Sequence, residues 1–79
     1  MNDNNRNLIG DRIRLARENA KPYISQSDLS ARLAVRGIEL SRSAISKIEA
    51  KNRPVTDIQL VAFADALGVS ISWLLNILK

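Results

Sequence analysis

Residues 25–54, SQSDLSARLAVRGIELSRSAISKIEAKNRP, decide the fold because they hold two short helical patterns separated by a glycine. Ser25 and Asp28 have the spacing of a capping box, in which each side chain bonds the backbone amide of the other residue. A helix is therefore predicted over residues 26–36, and Gly37 is the residue that ends it. It is the second of five helices that the whole sequence predicts.

The third helix begins after Ser41, a residue type that caps helix N-termini, and is predicted over residues 42–51. Its apolar side chains recur at helical spacing and indicate an inward face: Ala44, Ile45 and Ile48. The connection before it contains Ile38 and Leu40, and we expect these apolar residues to dock into the core. The second and third helices are thus consecutive, short and closely linked.

The opposite face of the third helix is polar and cationic. Four residues one, three or four positions apart share it: Arg42, Ser43, Ser46 and Lys47. Arginine and lysine donate hydrogen bonds to the acceptor edge of guanine, and serine can pair with several bases. Small hydroxyls beside long cations let a helix enter the major groove of duplex DNA without a steric penalty. We therefore interpret these four as base-contacting residues rather than as ordinary exposed helix positions.

Helical patterns extend in both directions from this segment. A first helix is predicted from the spacing of Leu8, Ile9, Ile13, Ala16 and Ala20, with Asn5 or Asn7 as its cap. A capping box over residues 56–59 opens a fourth helix with an apolar stripe of Leu60, Phe63, Ala64 and Leu67. Ser70 caps a fifth helix that carries Ile71, Trp73, Leu74, Leu75, Ile77 and Leu78. The prediction is an all-α, compact five-helix domain over residues 8–79, after a flexible polar arm over residues 1–7.

The composition excludes most catalytic chemistry. The chain has 79 residues, with no cysteine and no histidine, so disulfides, thiolate or imidazole metal sites and the commonest general base are absent. Its carboxylates are scattered singly, and it has no glycine-rich loop that would cradle a phosphate. No enzyme, no cofactor and no metal site are expected. The sequence also shows neither a signal peptide nor a bilayer-length apolar run, which predicts a cytoplasmic protein with no membrane partner.

The net charge of +4 is modest, but the charges are distributed unevenly. Residues 32–53 contain six basic residues against two acidic ones, namely Arg32, Arg36, Arg42, Lys47, Lys51 and Arg53 against Glu39 and Glu49. A cationic segment of this kind favours a polyanionic partner such as a nucleic acid. We interpret Arg12, Arg14 and Arg32 as solvated charges on helix surfaces, and Arg36 stays open between that role and a contact with DNA.

Taken in order, these residues resemble the lambda-repressor and Cro-like (XRE-type) family of helix-turn-helix DNA-binding proteins. The resemblance covers about residues 9–75 and is carried by residues of all five predicted helices. These residues are Ile9, Gly10, Ile13 and Arg17, then Ser25, Gln26 and Leu29, then residues 41–49, and finally Leu60, Phe63, Ala64, Leu67, Gly68, Val69 and Leu74.

The resemblance implies roles for individual residues. The third helix would lie in the major groove with Arg42, Ser43, Ser46 and Lys47 at the base edges. Phosphates would be bound by Gln26 at the start of the second helix, and by Lys51, Asn52 and Arg53 after the third. Arg17 and Glu49 could be catalytic partners by residue type alone, but the resemblance implies a structural ion pair between the first and third helices.

Two connections are longer than is usual in that family. The turn between the second and third helices is extended by residues 36–39, and the link between the first and second helices around residues 22–23 is also long. Ser30 stands where a small residue is usual inside the second helix, and Ala34 where the turn glycine is usual. If the extra turn residues dock into the core, as we expect, the third helix keeps its aim.

The predicted fifth helix is apolar nearly all round, whereas one packing surface buries only one side of a helix. Its remaining apolar residues could pack on the first helix, but a second copy of the chain explains them better: Trp73, Leu75, Ile77 and Leu78. A two-fold homodimer would set two recognition helices about 34 Å apart, which matches a pseudo-palindromic DNA site. With no room for a separate ligand domain, no small-molecule effector is expected.

The sequence therefore predicts a transcriptional regulator that binds double-stranded DNA sequence-specifically, more narrowly a homodimeric repressor. Two alternatives stay open. One is an antitoxin that binds a toxin as well as its own promoter, and the other is a helix-turn-helix fold used as a protein-interaction module.

Overall fold

The computed structural model describes residues 7–77, which form five α-helices and no strand. The helices are α1 (Gly10–Asn19), α2 (Gln26–Val35), α3 (Arg42–Glu49), α4 (Asp57–Leu67) and α5 (Ile71–Leu74). Helix α1 packs against α3, α4 and α5, while α2 packs against α3 and α4, and α4 packs against α5. The predicted all-α, five-helix class is confirmed. None of these helices has the length and apolar character that crossing a membrane requires.

Four of the five helices begin with a side-chain cap at the residue that the sequence indicates. The capping oxygens belong to Ser25, Ser41, Thr56 and Ser70, and each accepts the amide three residues further on. Asp28 and Gln59 return the bond to the capping residue, which completes both predicted capping boxes. These bonds satisfy amides that a helix N-terminus otherwise leaves unpaired, and so they fix where each short helix starts.

Two helices end at least two residues earlier than predicted. Helix α3 ends at Glu49 rather than at residue 51, because Lys51 adopts a left-handed conformation with φ 65°. The fifth helix is a single turn that ends at Leu74, because Asn76 is left-handed in the same way with φ 59°. In both places the next amide bonds back to a carbonyl of the last turn, as in a Schellman motif. The prediction of a longer fifth helix, apolar nearly all round, is therefore wrong.

The core is aliphatic apart from one aromatic ring. Its largest fully buried side chains come from each helix in turn: Ile13, Leu29, Leu33, Ile45, Ile48, Phe63 and Leu74. The inward faces predicted from helical spacing for the first four helices therefore pack inward at most positions, but Leu8, predicted as part of the first helix, precedes α1 and is 62% exposed. A domain of this size buries a thin core, with a free energy of unfolding of about 5 kcal/mol, so each of these side chains matters.

The lengthened turn between α2 and α3 is anchored to the core, as predicted. Leu40 is 4% exposed and Ile38 is half-buried against the core. The hydroxyl of Ser30 in α2 donates to the carbonyl oxygen of Leu40 at 2.7 Å. Gly37 takes a left-handed conformation with φ 81°, which glycine adopts without strain. One buried leucine and one partly buried hydrogen bond thus fix the turn where it leads into α3.

The arm predicted over residues 1–7 falls outside the described residues except for Asn7. Asn7 is buried, with 4% of its surface exposed. Its carboxamide oxygen accepts the amides of Ile9 and Gly10 at 3.1 and 2.8 Å, so it bonds the first amides of α1 in the manner of a cap, although the N-cap position itself is Ile9. Asn7 therefore belongs to the folded domain and not to an arm.

The anchoring of the turn predicts a large effect of Leu40→Ala. Truncating this buried side chain should lower the free energy of unfolding by about 2–5 kcal/mol, because it removes apolar contacts and leaves a cavity. Urea denaturation followed by circular dichroism measures this. Val35→Ala is the matched control, since Val35 is 84% exposed at the end of α2, and it should change stability by less than about 0.5 kcal/mol. Equal effects of the two substitutions would contradict the docking of the turn.

Candidate nucleic-acid interface

Helix α3 is held by one face and exposed on the other. Ile45 and Ile48 are fully buried, and Ala44 is buried beside them. The opposite side, which we call the recognition face, is exposed at each of its four residues: Arg42, Ser43, Ser46 and Lys47. The eight residues of α3 make two turns, so its position depends on the buried side chains and on contacts at its ends.

Three cations in or just after α3 have side chains without a partner in the part of the chain that the structure describes. Arg42, Lys47 and Arg53 form neither an ion pair nor a side-chain hydrogen bond with any residue of 7–77. All three are exposed. Their positive charge is therefore available to an external anion without first breaking an internal contact.

Most other arginines are engaged inside the domain. Arg14 pairs with Glu18, Arg32 donates to the Ala66 carbonyl, Arg36 pairs with Asp65, and Arg12 lies over the Trp73 ring. Arg36, whose role the sequence left open, forms an exposed ion pair between the end of α2 and α4. With these arginines paired, free positive charge and exposed hydroxyls occur together at the recognition face within residues 7–77.

A buried ion pair joins α1 to α3. The guanidinium of Arg17 holds the carboxylate of Glu49 through two hydrogen bonds of 2.7 and 2.8 Å, and both side chains are about 5–6% exposed. The same guanidinium also donates to the Tyr23 hydroxyl at 3.0 Å and to the Ile24 carbonyl at 3.2 Å. The hydrogen bond to Glu49 raises the pKa of Arg17 above its ordinary value, although burial acts in the opposite direction. The pair is therefore a charged, fully bonded structural link.

Gln26 stands at the start of α2 and reaches α3. Its side-chain amide nitrogen donates to the Glu49 carboxylate at 3.1 Å, at the same oxygen, Oε1, that accepts a bond from Arg17. Gln26 and Ser46 line the same open polar cleft, next to Ala50 at the end of α3. The structure thus brings the predicted phosphate residue of α2 beside the recognition face.

Residues 51–53, which we call the phosphate loop, are all exposed immediately after α3. The ammonium of Lys51 forms an ion pair with Asp11 of α1 at 3.0 Å. Arg53 lines an open cleft together with Ser41 and Ala44, at the start of α3. The loop therefore runs back along α3, and the predicted phosphate residues flank the recognition face rather than extend away from it.

Sequence reasoning did not find two contacts that hold α3. The side-chain amide nitrogen of Asn7 donates to the Ile48 carbonyl at 2.7 Å and to the Arg53 carbonyl at 3.0 Å. Gly10 lies so close to the end of α3 that a Cβ atom there would be 2.4 Å from the Ile48 oxygen. Both contacts join residues more than 30 positions apart, and neither leaves a periodic pattern in the sequence.

The predicted dimer residues are only partly free. Trp73 is half-buried, because Arg12 stacks over its ring at 3.8 Å and donates to its carbonyl at 3.0 Å. Leu75 is half-buried as well, Ile77 is 49% exposed, and Leu78 lies outside the described residues. Packing on α1 thus accounts for part of the apolar surface that the sequence assigned to a second copy of the chain.

Comparison with known proteins agrees with this geometry. A family model described as Helix-turn-helix matches residues 13–74, which include α2, α3 and their connecting turn. The chain therefore belongs to the lambda-repressor-like (XRE-type) helix-turn-helix family, a family of DNA-binding domains. No curated protein and no solved structure matches the chain significantly. The family and the exposed recognition face together define a helix-turn-helix DNA-binding regulator.

The buried ion pair predicts a large cost for removing one partner. Glu49→Ala should lower the free energy of unfolding by about 3–5 kcal/mol, because it leaves the Arg17 guanidinium buried without its carboxylate. Chemical denaturation measures the loss. Glu18→Ala is the control: it breaks the exposed pair with Arg14 on α1, which should cost less than about 1 kcal/mol. A similar small loss for Glu49→Ala would show that the pair does not hold α3.

Proposed function

We propose that this protein is a transcriptional repressor that binds double-stranded DNA sequence-specifically as a homodimer and reads the major groove with α3. The observation that carries the proposal is the exposed, unpaired recognition face on a helix whose other side is fully buried. An α-helix fits the major groove, where every base pair presents a distinct pattern of donors, acceptors and methyl groups. A helix whose other side is already packed against the core can enter that groove without any rearrangement of the domain.

Base contacts are assigned to the recognition face. Arg42 and Lys47 have side chains long enough to reach guanine acceptors, and Ser43 and Ser46 are small enough to let α3 approach the base edges. Because neither cation has an internal partner among residues 7–77, each keeps its full hydrogen-bonding capacity for DNA. A bidentate arginine contact contributes roughly 1–3 kcal/mol of discrimination between bases.

Phosphate contacts are assigned to residues on both sides of α3. Gln26 offers the first amides of α2 and the side-chain N–H that it does not donate to Glu49 on one side, and the phosphate loop offers Lys51, Asn52 and Arg53 on the other. Contacts of this kind fix the register of a protein on the duplex but carry no sequence information. We assign repression because occupancy of a site is sufficient for it, whereas activation needs a further protein contact.

The homodimer is proposed on the remaining apolar surface near α5. Ile77 is 49% exposed, and Leu8, 62% exposed, lines an open apolar groove with Leu60 and Leu75. The proposed interface keeps the predicted residues Trp73, Leu75, Ile77 and Leu78, with Trp73 and Leu75 contributing their uncovered edges. A two-fold interface here would pair two recognition helices on successive turns of the same DNA face.

The proposal predicts two different effects of substitutions at the DNA-binding surface of the protein. Arg42→Ala and Lys47→Ala should change which sequences are selected from random duplex DNA, because they remove contacts with base edges. Arg53→Ala should weaken all sequences alike and lower the slope of log affinity against log salt by about one, because it removes a phosphate contact. Identical selection profiles for both kinds of variant would rule out base reading by the recognition face.

The proposed dimer predicts that Ile77→Ser gives a folded monomer. Replacing this exposed isoleucine removes apolar area from the interface without opening the core, so unfolding should change little. Sedimentation should show a dimer for the parent chain and a monomer for Ile77→Ser, with weaker binding to a two-half-site duplex. Val35→Ser, at an 84% exposed position on α2, is the matched control and should remain dimeric. A parent chain that sediments as a monomer at high concentration would remove the dimer from the proposal.

A further inference from the structure

Asn7 is the one polar neutral side chain among residues 7–77 that is almost fully buried, and its hydrogen bonds extend in two directions. Its oxygen accepts the amides of Ile9 and Gly10 at the start of α1. Its amide nitrogen donates to Ile48 in the last turn of α3 at 2.7 Å and to Arg53 in the phosphate loop at 3.0 Å. One carboxamide therefore connects three separate segments.

Capping of α1 explains only half of these bonds. A cap requires an acceptor for the first amides of the helix, and a hydroxyl meets that need at four other positions of this chain, three serines and Thr56. The two donors of Asn7 are not needed for capping, and they bond carbonyls 41 and 46 residues away. Asparagine is the small neutral side chain that supplies an acceptor and two donors together.

The surroundings of Asn7 are packed tightly enough to keep these bonds in place. Gly10 has no side chain, and the Ile48 and Glu49 carbonyls occupy the space in which a Cβ atom would lie. The side chain of Lys51 crosses the same glycine and pairs with Asp11. The end of α3 and the phosphate loop thus pack against the start of α1.

We propose that Asn7 is a positioning residue for DNA binding: it holds the phosphate loop against the end of α3, so that Arg53 meets a phosphate while α3 lies in the groove. This inference rests on the proposed phosphate contact of Arg53. Asn7 touches no DNA itself in this role. It bonds the backbone carbonyl of Arg53, and it also bonds the carbonyl of Ile48, which accepts the amide of Lys51 as well.

The first test uses the free protein. Asn7→Ser keeps a capping acceptor for α1 but is too short to reach either distant carbonyl, and Asn7→Asp keeps the length and the acceptor but loses both donors. Amide hydrogen exchange should become about fivefold to tenfold faster at Asn52, whose amide closes the end of α3 on the Lys47 carbonyl, with no matching change in α2. Asn19→Ser, at an exposed asparagine of α1, is the control and should leave both regions unchanged.

The second test combines Asn7→Ser with Arg53→Ala on duplex DNA. Each single variant should lose about one unit of salt slope, which lowers affinity about eightfold at 0.1 M salt, with base preference unchanged. The double variant should bind about as well as either single variant, because both changes remove the same phosphate contact. A side chain that merely adds stability would give no such coupling at temperatures well below unfolding.

The outcomes separate this inference from the proposed function. If Arg53→Ala alone leaves the salt slope unchanged, the phosphate contact is wrong and the role of Asn7 in DNA binding is wrong with it. If Arg53→Ala behaves as expected while Asn7→Ser binds like the parent chain, or if the two losses simply add, this inference alone is overturned. Should Asn7→Ser fail to fold, Asn7→Asp is read by the same criteria, and its salt slope must fall in the same way.

Discussion

The buried ion pair between Arg17 and Glu49 is the interaction on which the DNA-binding surface depends. Helix α3 has eight residues, and a helix of two turns is not stable in water on its own. Its apolar side chains Ile45 and Ile48 are fully buried and fix how deeply it sits, and together with polar contacts they set its rotation about its own axis. The two parallel hydrogen bonds from Arg17 fix that rotation, because a guanidinium and a carboxylate meet in one plane. The direction in which the recognition face points follows from this pair.

Both ends of α3 are held by contacts of other kinds. At its start, Ser41 caps the helix, while Leu40 is buried in the core and bonded by Ser30. At its end, Asn7 bonds Ile48 and the backbone of the phosphate loop. A helix fixed in rotation, depth and at both ends loses little freedom when it binds. Less of the interaction energy with a ligand is then spent on ordering the protein.

Most of the fold was predictable from local chemistry, whereas the long-range contacts of Asn7 were not. Capping boxes and apolar spacing depend on residues three or four apart, so Ser25, Ser41 and Thr56 marked helix starts correctly. The ends of α3 and α5 were missed because Lys51 and Asn76 take the left-handed conformation that glycine usually supplies. Asn7 was assigned to the arm because a single polar residue near the chain start has no pattern that would indicate burial. The exposed face of α3 followed from periodicity, and the Arg17–Glu49 pair was implied by the family resemblance, whereas the contacts of Asn7 with the end of α3 were not predicted.

The phosphate loop shows how internal pairing divides residues that the sequence treats alike. Lys51 and Arg53 have the same charge sign and lie two positions apart, yet Lys51 is paired with Asp11 and Arg53 has no ionic partner among residues 7–77. A phosphate that meets Lys51 must compete with a carboxylate already 3.0 Å away, and it brings a second negative charge next to Asp11. A phosphate that meets Arg53 breaks no contact. Of the two proposed phosphate ligands, Arg53 is therefore expected to be the stronger, and it is the residue that the proposed positioning by Asn7 concerns.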